Sequence, residues 1–187
     1  LYARKERKTG QAASERSLYG HIVFERKICC VTMPYMKEII AVLHNIRSLH
    51  NVGSMFRTAD AAGVSKIYLC GITPTPLDTW GKARPEIYKV ALGAEVAVPW
   101  EYARSTSMLL KRLKRDGYVI YAVEQSKKSV PYSASHKLAH KKIALVVGNE
   151  VKGISKKILE KCDKVIDLPM RGKKESLNVS VAFGIAA

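Results

Sequence analysis

Asp167-Leu168-Pro169-Met170-Arg171-Gly172-Lys173-Lys174-Glu175-Ser176-Leu177-Asn178-Val179-Ser180-Val181-Ala182 reads as a strand, a loop and a helix. Residues 164–168 are short and apolar at alternate positions, Pro169 ends ladder pairing, and a polar run follows. Ser176 is then the expected N-cap of a helix built from small and β-branched apolar residues. Just upstream, Ile143-Ala144-Leu145-Val146-Val147 has the unbroken apolar lettering of a strand buried on both faces. It runs into Gly148-Asn149-Glu150-Val151-Lys152-Gly153-Ile154-Ser155 and a short helix over 156–161. Two strand-to-helix turns therefore sit close together in sequence. In open α/β sheets such turns gather at the carboxyl ends of strands, where glycines admit a close approach and helix N-termini present free N–H groups. They form the expected binding site.

Val147-Gly148-Asn149-Glu150-x-x-Gly153, with Leu168-Pro169-Met170 and Ser176-Leu177-Asn178-Val179-Ser180-Val181-Ala182, resembles motifs 2 and 3 of the TrmH-like branch of the SPOUT superfamily, the RNA 2′-O-ribose methyltransferases. Far upstream, Asn45-Ile46-Arg47-Ser48-Leu49-His50-Asn51-Val52-Gly53-Ser54-Met55-Phe56-Arg57-Thr58-Ala59 resembles motif 1. The resemblance covers residues 39–187. It implies an α/β domain with a mainly parallel sheet flanked by helices and a deep trefoil knot near the C-terminus. It also implies S-adenosylmethionine held in a bent pose by the knot loops, and a homodimer with its active sites at the interface. Carried over by position, Gly148, Leu168, Met170 and Leu177, with Val147, Asn149 and Gly153, are the expected cofactor-binding residues. Arg57, Asn51, Glu150, Ser176 and Asn178 are the expected catalytic residues. The implied reaction is methyl transfer to a ribose 2′-hydroxyl of tRNA or rRNA. In SPOUT dimers the arginine matching Arg57 reaches the cofactor site of the other protomer.

The rest of the chain is consistent with that reading. Its 187 residues are long enough for one ordinary domain plus a tail, and 47% hydrophobic residues suffice for a core. Thirty-two Lys and Arg against sixteen Asp and Glu give +16, which points to a polyanionic partner, a nucleic acid, and the resemblance implies that it is RNA. No apolar run approaches the ~18 residues of a membrane span and no signal segment opens the chain, so a cytoplasmic protein is expected. Cys29, Cys30, Cys70 and Cys162 lack metal-site spacing, and His136 and His140 have no carboxylate or cysteine pairing, so no metal is expected.

Residues 1–30 form a basic extension, expected to be flexible over about residues 1–20 and with strand-like lettering over 21–32, and residues 31–187 form the methyltransferase domain. Expected elements are strands over 39–43, 66–70, 96–99 and 118–123 and helices over 48–62, 84–92 and 105–116. In the last helix Met108, Leu109 and Leu113 are expected to face inward. The proline-punctuated loop over 71–76 is expected to border the site, and 125–140 is a connection. Lys89 and the stretch 91–95 resemble a further, less specific family feature. The apolar residues Val179, Val181, Ala182, Phe183 and Ile185 encircle more of the last helix than one core stripe needs, which also suggests a dimer.

Two other classes are weighed against this one. A Rossmann-type nucleotide site needs G-x-G-x-x-G after the first strand, and Leu43-His44-Asn45-Ile46-Arg47 lacks it. A catalytically silent RNA-binding SPOUT domain is opposed by the intact Arg57, Glu150, Ser176 and Asn178.

Overall fold

A computed structural model of the protein describes residues 38–126, 128–135 and 140–187, all within one compact unit, Pro34–Ala187. The basic extension, the strand-like stretch 21–32, Cys29, Cys30 and His136 lie outside the described residues. Among the described residues, seven strands form a single parallel sheet. They are β1 (Glu38–His44), β2 (Lys66–Cys70), β3 (Trp100–Ala103), β4 (Val119–Val123), β5 (Val130–Pro131), β6 (Lys142–Val147) and β7 (Lys164–Asp167), in the spatial order β3-β2-β1-β6-β4-β7-β5. Parallel neighbours require crossover connections, which the helices supply. These are α1 (Leu49–Ala62), α2 (Pro85–Ala91), α3 (Ala94–Ala97), α4 (Thr106–Arg115), α5 (Tyr132–Ser135), α6 (Lys156–Leu159) and α7 (Val179–Ala186).

The central strands show why their sequences carry no polar alternation. In β1, Ala41 and Leu43 join a core with Val52, Met55, Phe56 and Ala59 of α1, Ile87 of α2 and Phe183 of α7. Ile40 and Val42, on the opposite face, join Leu109, Leu110 and Leu113 of α4 and Ile158 of α6. Both faces are covered, so both phases of the period-2 pattern must be apolar. The strand order then positions the site. The first three strands step outward on one side of β1, while β6 inserts between β1 and β4. The carboxyl ends of β1, β6 and β4 are thereby brought side by side.

Several expected elements shift. The strand expected over 96–99 is helix α3, and the chain extends only at Trp100–Ala103. Gly93, at φ 93°, turns the backbone into α3, and the Val98 N–H returns to the Ala94 carbonyl, so contact with β2 begins only at Pro99, whose carbonyl accepts the Ile67 N–H at 2.9 Å. In α4 the inward face is Leu109, Leu110 and Leu113, whereas Met108 is 73% exposed. The connection over 125–140 contains β5 and α5, and α6 ends at Leu159. Ser48, expected inside the helix, is instead the N-cap of α1, its hydroxyl accepting from the Asn51 N–H, and Gly63 caps the other end, left-handed at φ 72°.

Candidate functional site

The loop after β6 is shaped by Asn149. Its side-chain oxygen accepts the Val151 and Lys152 N–H groups at 3.0 and 2.9 Å, and its amide nitrogen donates to the Asn45 carbonyl at 2.8 Å. This ties the loop to the end of β1. Gly148 must be glycine, because a Cβ there would lie 2.5 Å from Ile154 Cγ1 and 2.7 Å from the Gly153 carbonyl carbon.

Glu150 fastens this loop to the start of α1. Its carboxylate accepts the backbone N–H of Arg47 (3.0 Å to Oε2) and of Ser48 (3.0 Å to Oε1), and the Asn51 amide (3.1 Å to Oε1). Burial works to raise its pKa, but the hydrogen bonds from Ser48, Arg47 and Asn51 outweigh it and hold Glu150 below the ordinary carboxylate value.

The turn after β7 joins the same network. Asn178, rather than Ser176, is the N-cap of α7: its side-chain oxygen accepts from the Ser180 N–H and hydroxyl, both at 2.8 Å. Its amide nitrogen donates to Asn51 Oδ1 at 3.2 Å. Both residues are good caps, and the pairing of Asn178 with Asn51 selects the later one. Asn178, Asn51 and Glu150 therefore form a continuous hydrogen-bonded chain across the loops after β7, β1 and β6.

These loops enclose a cleft of about 280 Å³. Gly148, Asn149, Glu150, Gly153, Leu168, Met170, Ser176, Leu177 and Asn178 all line it. Val147 is buried at the end of β6, directly before the cleft. Asn51 touches the network from α1 without lining the cleft, while Arg57 is exposed on α1 and lines none of the described clefts. Lys89 is likewise exposed and outside them.

Two lining residues escape the motif reading. Glu124 accepts from the Ile154 N–H at 2.8 Å, and the Gln125 amide donates to the Glu175 carbonyl at 2.7 Å, spanning to the loop after β7. Their signal was positional: they follow the apolar run of β4 and so lie at a strand's carboxyl end. The Gly71–Thr75 loop lines a different cleft, with Arg47 on its other wall. Among the described residues no group of three His, Cys, Asp or Glu gathers in a way that could hold a metal, and no helix is long and apolar enough to cross a membrane.

A parallel α/β sheet whose carboxyl-end loops are bonded around one cleft defines a ligand-binding α/β domain. Residues 38–187 match the profile described as the SpoU rRNA Methylase family, and the chain belongs to that family. Among curated relatives it is 37% identical over 147 residues to the 23S rRNA (guanosine-2'-O-)-methyltransferase RlmB of Blochmanniella floridana, covering 79% of this chain and 54% of that protein. Among solved structures it resembles the AdoMet-bound rRNA methyltransferase from Sinorhizobium meliloti, with TM-score 0.71 and 28% identity over 82% of this chain and 55% of that one. It also resembles the A. aeolicus TrmH/SpoU tRNA modifying enzyme, with TM-score 0.68 and 33% identity over 81% and 73% of the two chains. The chain spans about half the length of the curated relatives it matches.

Proposed function

We propose that this domain is an S-adenosylmethionine-dependent methyltransferase acting on a ribose 2′-hydroxyl of tRNA or rRNA. The observation that carries the reading is the hydrogen-bonded chain Asn178, Asn51, Glu150, which joins all three family motifs around one cleft. The residues present fit the cofactor. Gly148 leaves room where a Cβ could not stand, Leu168, Met170 and Leu177 offer apolar surface, and no lysine or arginine lines the cleft to repel a cation. When bound, S-adenosylmethionine supplies an electrophilic sulfonium methyl group. Backbone groups of Val147, Gly148, Asn149 and Gly153, and of the Leu168 to Leu177 turn, hold it.

The chain's own task is to make a weak nucleophile react. A ribose hydroxyl is almost wholly protonated near neutral pH, so the negative charge it develops needs a partner. Arginine, with a pKa above about 12, serves as that partner better than as a base. Arg57 holds the neighbouring phosphate and stabilises the developing alkoxide. Its position supports action on a second protomer: it is exposed and faces none of the clefts of its own. The homodimer this requires is supported by α7, where Val181 and Ile185 are 50% and 44% exposed. Asn178 orders the turn against which the ribose rests, Ser176 lines the same cleft, and Glu150 fixes the start of α1. We further assign to the domain the family's C-terminal trefoil knot, chemistry without metal, a cytoplasmic setting, and a boundary after a basic extension of residues 1–30.

The test is transfer of labelled methyl from S-adenosylmethionine to total tRNA and rRNA, followed by mapping of the modified nucleotide. Transfer to a ribose is the expected result. Cofactor binding without transfer to any RNA favours the silent domain, and calorimetry showing no binding at high micromolar cofactor overturns both. A stable monomer mass by light scattering at micromolar concentration overturns the shared site.

A further inference from the structure

The second cleft, about 690 Å³, opens beside the first. One wall is Arg47, on the turn between β1 and α1, and the other comes from the stretch after β2, which ends at Arg84 at the N-cap of α2. The two clefts are linked through Glu150, which lines the first and accepts the backbone N–H groups of Arg47 and Ser48. The Arg47 N–H is held by Glu150 of the first cleft, while Arg47 itself lines the second.

Three observations say what the second cleft takes. Among the described residues neither Arg47 nor Arg84 pairs with a carboxylate, and Arg84 Nε is buried without a hydrogen-bond partner. Arg47 and Arg84 both line this cleft without an acidic partner, and planar guanidinium forks suit phosphate oxygens. The one acidic residue in the lining, Asp78, already accepts the Trp80 and Lys82 N–H groups at 2.9 and 2.8 Å. Beside the arginines stand apolar side chains that water reaches, Ile72 at 66% and Tyr102 at 48% exposure, and the Tyr102 hydroxyl is anchored on the Gly71 carbonyl at 2.9 Å. Paired cations beside an anchored aromatic surface match a nucleotide, with its phosphate and its flat base.

We propose that this cleft holds a nucleotide of the RNA strand next to the target ribose, with Arg47 and Arg84 gripping its phosphodiester and Tyr102 and Ile72 flanking its base. The proposal rests on the RNA-methyltransferase reading and deepens it. Because Glu150 fixes the backbone of Arg47, the phosphate grip is set in register with the cofactor cleft.

The test is fluorescence anisotropy of fluorescein-labelled decauridylate with the full chain across 50–200 mM KCl, which needs no cofactor. Arg47→Ala and Arg84→Ala should each weaken binding about tenfold and flatten the logarithmic salt slope by about 0.7. Arg84→Lys should restore the slope but only part of the affinity, a split that a merely structural role would not produce. Lys111→Ala, on the exposed side of α4, should change affinity less than twofold. Polyglutamate and inorganic phosphate, each at matched ionic strength, should compete poorly.

Equal losses from Lys111→Ala mean diffuse attraction and overturn the cleft, as do unchanged slopes in both arginine-to-alanine variants. Polyglutamate or phosphate competing as well as the oligonucleotide overturns it in favour of an acidic peptide or a free anion. Calorimetry with S-adenosylmethionine on the same samples separates the two readings. Cofactor binding without decauridylate binding overturns the cleft alone, whereas failure to bind cofactor overturns the methyltransferase reading.

Discussion

The two clefts are joined through the hydrogen bond from Arg47 N–H to Glu150, yet they are lined by opposite chemistry. The first presents Glu124, Glu150 and Asp167 and no lysine or arginine. The second presents Arg47 and Arg84, with Asp78 engaged by backbone N–H groups. In a chain with 32 basic and 16 acidic residues, a cleft free of cations is the more informative of the two. A general excess of positive charge raises the affinity of every surface for RNA. A net-positive small molecule needs a place from which that charge is kept away. On the proposed reading, the protein keeps a cationic methyl donor and a polyanionic acceptor in two separate clefts joined through Glu150 and Arg47.

Changes at Arg57 should have the largest effect, since it belongs to neither cleft in its own protomer. Arg57→Ala should lower methyl transfer about a hundredfold or more, roughly 3 kcal/mol, with cofactor affinity nearly unchanged by calorimetry. Arg57→Lys should rescue poorly. Mixing Arg57→Ala with Asn178→Ala protomers and allowing exchange should restore part of the activity, because some heterodimers hold one site with both residues intact. Full activity of Arg57→Ala would remove the residue from the mechanism.

Salt should separate the clefts themselves. With about five phosphate contacts, RNA affinity should fall about a hundredfold between 50 and 200 mM salt, while S-adenosylmethionine affinity changes less than about twofold. Parallel titrations check this, and equal dependence on salt would mean that the clefts do not differ in kind.

Gly148→Ala should act on the first cleft alone. The added methyl meets Ile154 and the Gly153 backbone, so the loop must shift, and cofactor affinity should drop about tenfold with RNA affinity preserved. Loss of both affinities together would show that the clefts share one rigid wall.

The smallest effect concerns Glu150, which joins the clefts. Glu150→Gln should cost about 1 kcal/mol, a shift of about 2–4 °C in the melting temperature at neutral pH. The folded-state pKa of Glu150 is lowered, so the stability it contributes is present above the ordinary carboxylate range and is lost as pH falls through the lowered value. The gap between variant and wild type should therefore narrow as pH falls through and below the ordinary carboxylate range, as scanning calorimetry across pH would show.

Sequence and structure agree where covering forces a simple pattern, and part where a local choice has two solutions. Strands β1, β2 and β6 were legible because both of their faces are buried. The edge strand β3 is paired only to β2, and its Trp-Glu-Tyr-Ala lettering carries no such signal, so the valines just before it drew the strand assignment. Val96 is in fact 84% exposed on α3. Ser176 and Asn178 were both plausible caps, and a partner 127 positions away in sequence decided between them. The first cleft was readable from motifs that name its side chains. The second was not, because Arg47, Arg84, Ile72 and Tyr102 come from four separate stretches with no shared spacing.

The chain from Asn178 to Glu150 also has a direction. At one end the Ser180 N–H can only donate, so Asn178 must turn its oxygen toward it and its NH2 group outward. At the other end the ionised Glu150 can only accept, so Asn51 must turn its NH2 group there and its oxygen toward Asn178. The two demands agree, and both amides are locked in a single flip state. Protonating Glu150, or exchanging it for an amide, removes one of the two anchors that set this handed arrangement. The orientation of Asn178 beside the first cleft is thus partly written by a carboxylate on another loop, 28 residues earlier in the chain.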